Sequence, residues 1–205
     1  AFRKYRDPKT QGAFPLRGKF INVSGLGPLK VVKNKEVTAL LGAIGLKLGE
    51  EAKNLRYGKV LIYSDADPDG DSIAGLLINF FGRYWPEMFE QEMICRVITP
   101  IVVAKKGKEK KSFYTNEEFE DWAASRSKIK GWEIEYKKGL AALEDEEYKE
   151  IIKNPKMFVV EKGDNFHATL NHWFSKNPMH RKMKILGRDL SDEEIDETSD
   201  EEVPA

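Results

Sequence analysis

The sequence holds one cysteine, Cys95, and its longest apolar runs are short. A single cysteine excludes an intramolecular disulfide and any cysteine zinc site. Its setting, Ile94-Cys95-Arg96-Val97-Ile98, reads as a small buried apolar residue on a strand. No run of eighteen apolar residues is present to cross a bilayer as a helix. The opening Ala1-Phe2-Arg3-Lys4-Tyr5-Arg6 lacks the apolar stretch of a secretory signal, so a cytoplasmic chain with no membrane partner is expected. No glycine-rich nucleotide loop of Walker or related form occurs. The three histidines, His167, His172 and His180, are spaced by five and eight, which does not match the i, i+4 pair of a helical zinc site. What the chain does have is 40% hydrophobic and 11% aromatic content over 205 residues, enough to bury a core.

Net charge is zero, with 34 basic and 34 acidic side chains, but the signs are segregated. Nine acids and no base lie between Asp189 and Glu202, leaving 25 acids against all 34 bases in residues 1–188. Residues 1–35 alone carry nine bases against the single acid Asp7. Such a body suits a polyanion, although a solvated basic loop would look the same by charge alone. The stretch 189–205 has too little apolar area to order itself and reads as a disordered acidic tail, with 1–188 as one domain.

The first 35 residues, rich in glycine, proline and charge, suggest loop and short strand. Val37, Leu40, Leu41, Ile44 and Leu48 predict a helix over Lys35–Gly49. Lys59–Ser64 reads as a buried strand. From Ser72, Ile73, Leu76, Leu77, Phe80, Phe81 and Tyr84 mark the clearest amphipathic helix. Ile94–Lys105 and Lys111–Tyr114 read as two strands joined at Gly107, followed by a helix capped at Thr115. Trp132–Tyr136 alternates as a half-buried strand, and helices follow at Asp145–Lys153 and Phe166–Phe174. Phe80, Phe81, Trp122 and Trp173 take packing positions. Strand, acidic turn and helix in succession give an α/β fold whose functional groups collect at the strand's carboxyl end.

That turn, Ser64-Asp65-Ala66-Asp67-Pro68-Asp69-Gly70-Asp71, places three carboxylates on alternate residues. They repel one another unless a cation sits among them, and hard oxygen ligands suit Mg²⁺ or Ca²⁺. An EF-hand also begins D-x-D-x-D-G, but its twelfth position, a bidentate glutamate, is here Leu76. A plain helix-capping turn is the bland alternative.

The turn resembles the DxDxDG element of the TOPRIM domain of type II DNA topoisomerases. The resemblance implies a Rossmann-like sheet flanked by helices, with further helices toward the carboxyl end. It implies Asp65 and Asp67 as Mg²⁺ ligands and Asp69 as an accessory catalytic carboxylate. Upstream, Pro15-Leu16-Arg17-Gly18-Lys19-Phe20-Ile21-Asn22 is similar to that family's DNA-contacting element, which assigns duplex DNA contacts to Arg17, Lys19 and Asn22. Downstream, Lys138-Gly139-Leu140-Ala141 is similar to its lysine-glycine-leucine-glycine element, with Lys138 a further DNA contact. Ala141 replaces the second glycine, and would be strained if the backbone there needed a positive φ. Trp85-Pro86-Glu87-Met88-Phe89-Glu90 and Thr99-Pro100 are similar to the large subunits of T4-type phage enzymes.

The family's metal-binding glutamate and first strand are expected ahead of Ala1, and its ATPase module and cleaving tyrosine on partner subunits or segments. The role implied is metal delivery and DNA gripping in an ATP-dependent enzyme, inactive alone, in the cytoplasm of an infected host. A split site of this kind requires the amino terminus to lie beside the acidic turn and continue a strand of its sheet. A non-catalytic DNA-binding or assembly subunit and an independent metal-dependent phosphotransferase or nuclease are the competing readings.

Overall fold

The computed structural model describes residues 2–124 and 129–187; the acidic stretch 189–205 and the side chain of His180 lie outside the described part. In chain order the described elements are α1 (Phe2–Tyr5), α2 (Pro28–Val32), α3 (Lys35–Ile44), β1 (Val60–Ile62), α4 (Pro68–Tyr84), α5 (Glu87–Glu90), β2 (Ile94–Val97), β3 (Val102–Lys106) and β4 (Glu109–Phe113). Then come α6 (Asn116–Ala123), β5 (Glu133–Tyr136), a 3₁₀ turn at Leu140–Ala142, α7 (Asp145–Lys153), β6 (Met157–Val159), α8 (Phe166–Phe174) and α9 (Met179–Ile185).

These elements form two compact units. The first takes the described residues of Ala1–Ala13, Lys59–Ala74 and Ile94–Val160. It holds two three-stranded sheets, ordered β1-β2-β6 and β4-β3-β5. β1 runs parallel to β2, with Val60 opposite Ile94, and β6 runs antiparallel on β2's other side. Among the described residues β1 is therefore an edge strand. Leu61 and Tyr63 of the β1 end and Tyr148 of α7 all pack against Val97, Leu143 and Ile151, so α7 covers this sheet near the end of β1. In the second sheet Val102, Ala104 and Phe113 pack against Phe119 and Trp122 of α6. α6 begins where the sequence places it, with the Thr115 hydroxyl accepting from Glu118 N–H at 3.1 Å.

The stretch Ile94–Lys105 departs from the expected single strand. It divides into β2 and β3, which lie in different sheets. Pro100 between them has no N–H for a ladder, which favours a break there. β6 was not anticipated, because three residues flanked by Pro155 and charge carry almost no periodic signal. Residues 2–35 contain short helices where short strand was expected.

The second unit, the described residues of Phe14–Gly58, Gly75–Met93 and Glu161–Ala205, contains only helices as regular structure. Phe80 and Trp85, both fully buried, lie edge-on at 5.6 Å, with Phe20 against Phe80 at 5.1 Å. The Trp85 indole N–H donates to Glu50 O at 2.9 Å, which satisfies its buried polar atom. Asn34 caps α3 by accepting from Glu36 and Val37 N–H, and Gly45, in the left-handed region, ends the helix a turn before Gly49. Trp173, expected in packing, is 41% exposed.

Candidate functional site

β1 delivers the acidic turn. Leaving the strand at Ile62, the chain passes through half-buried Tyr63 and buried Ser64 to Asp65 and Asp67, each partly exposed, and Asp69, which is exposed. Asp67 Oδ1 accepts from Gly70 N–H at 2.7 Å, and with Pro68 in the first turn α4 starts a full turn earlier than the apolar spacing indicated. The chain folds back so tightly that a Cβ on Gly70 would lie 2.0 Å from the Asp65 carbonyl oxygen. Asp71 points to Arg96 of β2 and pairs with it.

The loop after β5 closes on Asp65. Leu140 N–H donates to Asp65 Oδ1 at 2.6 Å, and a Cβ on Gly139 would lie 2.7 Å from the Asp65 carboxyl carbon. Only a glycine lets the backbone lie this close to the carboxylate. Gly139 itself is extended, with φ 167°. Ala141 stands in the 3₁₀ turn and is not among the positive-φ residues, so alanine is unstrained where the related element has glycine. Lys138 is exposed on the same loop, next to the residue that packs on Asp65.

Beneath the loop lies a charged cluster. Lys137, 9% exposed, donates to Ala142 O at 3.2 Å and to Glu135 at 2.7 Å, and sits 3.3 Å from Glu147, itself 3% exposed. Burial pulls the Lys137 ammonium down, but Glu135 and Glu147 outweigh it and hold its pKa above the ordinary lysine value. Burial pushes the Glu147 carboxyl up, yet Glu144 N–H, Lys110 and Lys137 leave it below the usual range. Tyr148 donates its hydroxyl to Leu140 O, and burial together with the Asp65 charge raises its pKa, so it is a donor at neutral pH.

Asp65 and Asp67 each commit one carboxylate oxygen to a backbone N–H, leaving the second for another ligand. Among the described residues no group of three or more histidine, cysteine, aspartate or glutamate side chains is placed to hold a metal. Two carboxylates fit the way Mg²⁺ is usually bound, through one or two carboxylates with waters and phosphate oxygens.

Residues 1–99 match the Toprim domain, and residues 97–204 match the C-terminal associated domain of TOPRIM. The chain belongs to the family marked by the C-terminal associated domain of TOPRIM, here behind a Toprim domain. It is 34% identical over 190 residues to DNA topoisomerase 2-alpha of Homo sapiens and 35% identical over 190 residues to DNA topoisomerase 2-beta of Gallus gallus. Each alignment covers 88% of this chain and 12% of the relative, so the chain spans about an eighth of their length. The crystal structure of the Plasmodium falciparum topoisomerase II DNA-binding, cleavage and re-ligation domain superposes with a TM-score of 0.73 at 32% identity, covering 87% of this chain and 26% of that one. The α/β fold expected from the sequence is that of Toprim.

Within this Toprim chain the expected site residues fall into two groups. Asp65, Asp67, Asp69 and Lys138 belong to the first unit, and Arg17, Lys19 and Asn22 to the second. Arg17 and Lys19 are exposed, on either side of Gly18 with φ 117°. Asn22 carries more structural duty than its assigned DNA contact implies. Its Nδ2 donates to Phe174 O at 2.7 Å, and its Oδ1 accepts from Ser24 N–H at 3.1 Å and from Asn79 Nδ2 at 3.2 Å. One amide N–H of Asn22 remains for an outside acceptor. Asn79, fully buried on α4, also accepts from Arg83 Nε at 2.9 Å, and so ties the basic element to the helix. Sequence reasoning missed Asn79, Lys137 and Tyr148. An asparagine inside an apolar helix face was the one visible signal.

The amino terminus was expected beside the acidic turn and on a strand. Phe2 packs edge-on against Tyr63 at 4.5 Å, two residues from Asp65. Residues Phe2–Tyr5 are helical, however, so the strand expectation is corrected. Lys4 on this helix donates to Asp145 of α7.

Proposed function

We propose that this Toprim chain is the metal-delivering and DNA-gripping part of a type II DNA topoisomerase that passes one duplex through another at the expense of ATP. The observation that carries the reading is the Asp65 carboxylate, held on one oxygen by the Gly139–Leu140 loop beside Asp67. Asp65 and Asp67 would hold Mg²⁺, with Asp69 accessory. When bound, the ion supplies charge stabilisation at the scissile phosphate and the leaving oxygen. The chain's own contribution is to fix the two carboxylates and to grip the backbone of double-stranded DNA. Arg17, Lys19, Asn22 and Lys138 make those contacts, and such contacts set position rather than sequence.

The strand-cleaving tyrosine and the ATPase come from partner segments or subunits. A further carboxylate completes the metal site from a strand added at the open edge of β1. Residues 1–188 act as one functional piece. The T4-type phage origin, and with it the cytoplasm of an infected bacterium, rests on the Trp85–Glu90 and Thr99–Pro100 segments.

Reconstitution with ATPase-bearing and tyrosine-bearing subunits tests the reading. ATP-dependent strand passage that requires this chain, and that Asp65→Asn abolishes, is the expected result. DNA binding and assembly without any dependence on Asp65 would instead favour a non-catalytic subunit.

A further inference from the structure

We propose that Tyr148 is a positioning residue for Asp65, acting through the peptide groups on either side of Leu140. The proposal rests on the reading of Asp65 as a metal ligand. An aspartate at the end of a strand has two soft side-chain torsions, and a ligand needs one orientation. Here the orientation is set by backbone: Leu140 N–H meets Oδ1 at 2.6 Å, and Gly139 lies so close that a Cβ there would sit 2.7 Å from the carboxyl carbon. A hydrogen bond to an ionised acceptor at that length is of the strong, charge-assisted kind.

The backbone that performs this task belongs to no sheet and to only three residues of 3₁₀ turn, so something else must hold it. Lys137 pins the far side of the turn through Ala142 O at 3.2 Å. Glu144 and Glu147 close the start of α7 with a reciprocal capping box. Leu140 O, one residue torsion away from the N–H that meets Asp65, accepts from Leu143 N–H at 3.2 Å and from the Tyr148 hydroxyl. The Tyr148 ring packs against the cluster of Val97, Leu143 and Ile151, which Leu61, Tyr63 and Leu140 also cover. The hydroxyl therefore has a fixed aim. Chain positions 65, 140 and 148 form a relay in which a side chain from α7 fixes the Leu140–Ala141 peptide, and the adjoining Gly139–Leu140 peptide fixes a carboxylate in the turn after β1.

Tyr148→Phe in the full chain tests this, since it keeps the ring and its packing and removes only the donor. Mn²⁺ serves as a paramagnetic probe of the site, read by water-proton relaxation. Affinity is expected to fall about tenfold, in line with the usual effect of removing an outer partner of a metal ligand. The Leu140 amide proton should move upfield, and the thermal midpoint should hardly change. Tyr148→para-aminophenylalanine, which restores a donor at the same place, should recover the affinity. Asp65→Asn run alongside separates the two layers of the argument. If Asp65→Asn abolishes Mn²⁺ binding while Tyr148→Phe leaves both affinity and the Leu140 shift unchanged, the positioning role is overturned and the metal site stands. Binding that survives Asp65→Asn overturns the metal site and the relay with it.

Discussion

Gly139 and Asp65 approach so closely that one methyl group decides whether the carboxylate can stay in place. Gly139→Ala puts a Cβ 2.7 Å from the Asp65 carboxyl carbon, and Asp65 is too short to yield without leaving Leu140 N–H. We expect the reconstituted enzyme carrying Gly139→Ala to lose Mg²⁺-dependent DNA cleavage; cleavage at the unmodified rate would show that the carboxylate has room to move. Asp67 presents the opposite case. Asp67→Asn keeps an oxygen that can accept from Gly70 N–H, so the start of α4 should survive and the melting midpoint should hold or rise slightly as repulsion in the turn falls. Cleavage should nevertheless be lost, and a variant that cleaves normally would remove Asp67 from the metal site. For Lys19, exposed beside Gly18, Lys19→Ala should weaken DNA binding with little sequence dependence and lower the log–log salt slope by about one. Titrations at several salt concentrations give that slope, and an unchanged value would leave Lys19 without a phosphate partner.

At the scale of elements, the turn that holds Asp65 depends on the buried Lys137–Glu147 pair between β5 and α7. Removing one member of such a pair leaves a buried charge with less compensation, which costs on the order of 3 kcal/mol. Lys137→Met should destabilise by about that amount in chemical denaturation. A loss below about 0.5 kcal/mol would mean that Lys110, 3.0 Å from Glu147, suffices alone. Because the folded state holds Glu147 below its unfolded value of 4.5, its contribution is present above that pH and is lost as pH falls through the folded pKa. Glu147→Gln should flatten the stability profile on the acid side of pH 4.5. The same elements show what the sequence made legible. α4, α7 and α8 were readable because each repeats apolar residues on one face, and α6 because Thr115 and Glu118 form a capping signal. The break between β2 and β3 is a tertiary event that an apolar run does not encode, though Pro100 marks its place. The aspartates of the turn were legible because alternate carboxylates behind a buried strand have few other uses. Lys137, Tyr148 and Asn79 were not, because the partners that give them meaning, at Glu147, Leu140 and Asn22, are separated in sequence or are backbone atoms.

At the scale of the whole molecule, the question is how much of a metal site these 205 residues contain. Asp65 and Asp67 each have one oxygen engaged by a backbone N–H, and Asp71 is paired with Arg96. Two half-engaged carboxylates leave most of an octahedral Mg²⁺ shell to water, which makes for weak binding because Mg²⁺ demands close to ideal geometry and gives up its waters reluctantly. β1 meanwhile offers an unpaired edge among the described residues, at the strand that leads straight into Asp65. A strand added there by parallel or antiparallel pairing would lie about 4.8 Å from β1, close enough for a glutamate at its end to reach an ion held by Asp65. Assembly should then raise Mg²⁺ affinity without altering either aspartate, and the gain should vanish in Asp65→Asn. Calorimetric titration of Mg²⁺ into the chain by itself and into the reconstituted complex measures the difference directly. Equal affinities would place every protein ligand within these residues and dispense with a strand at the edge of β1.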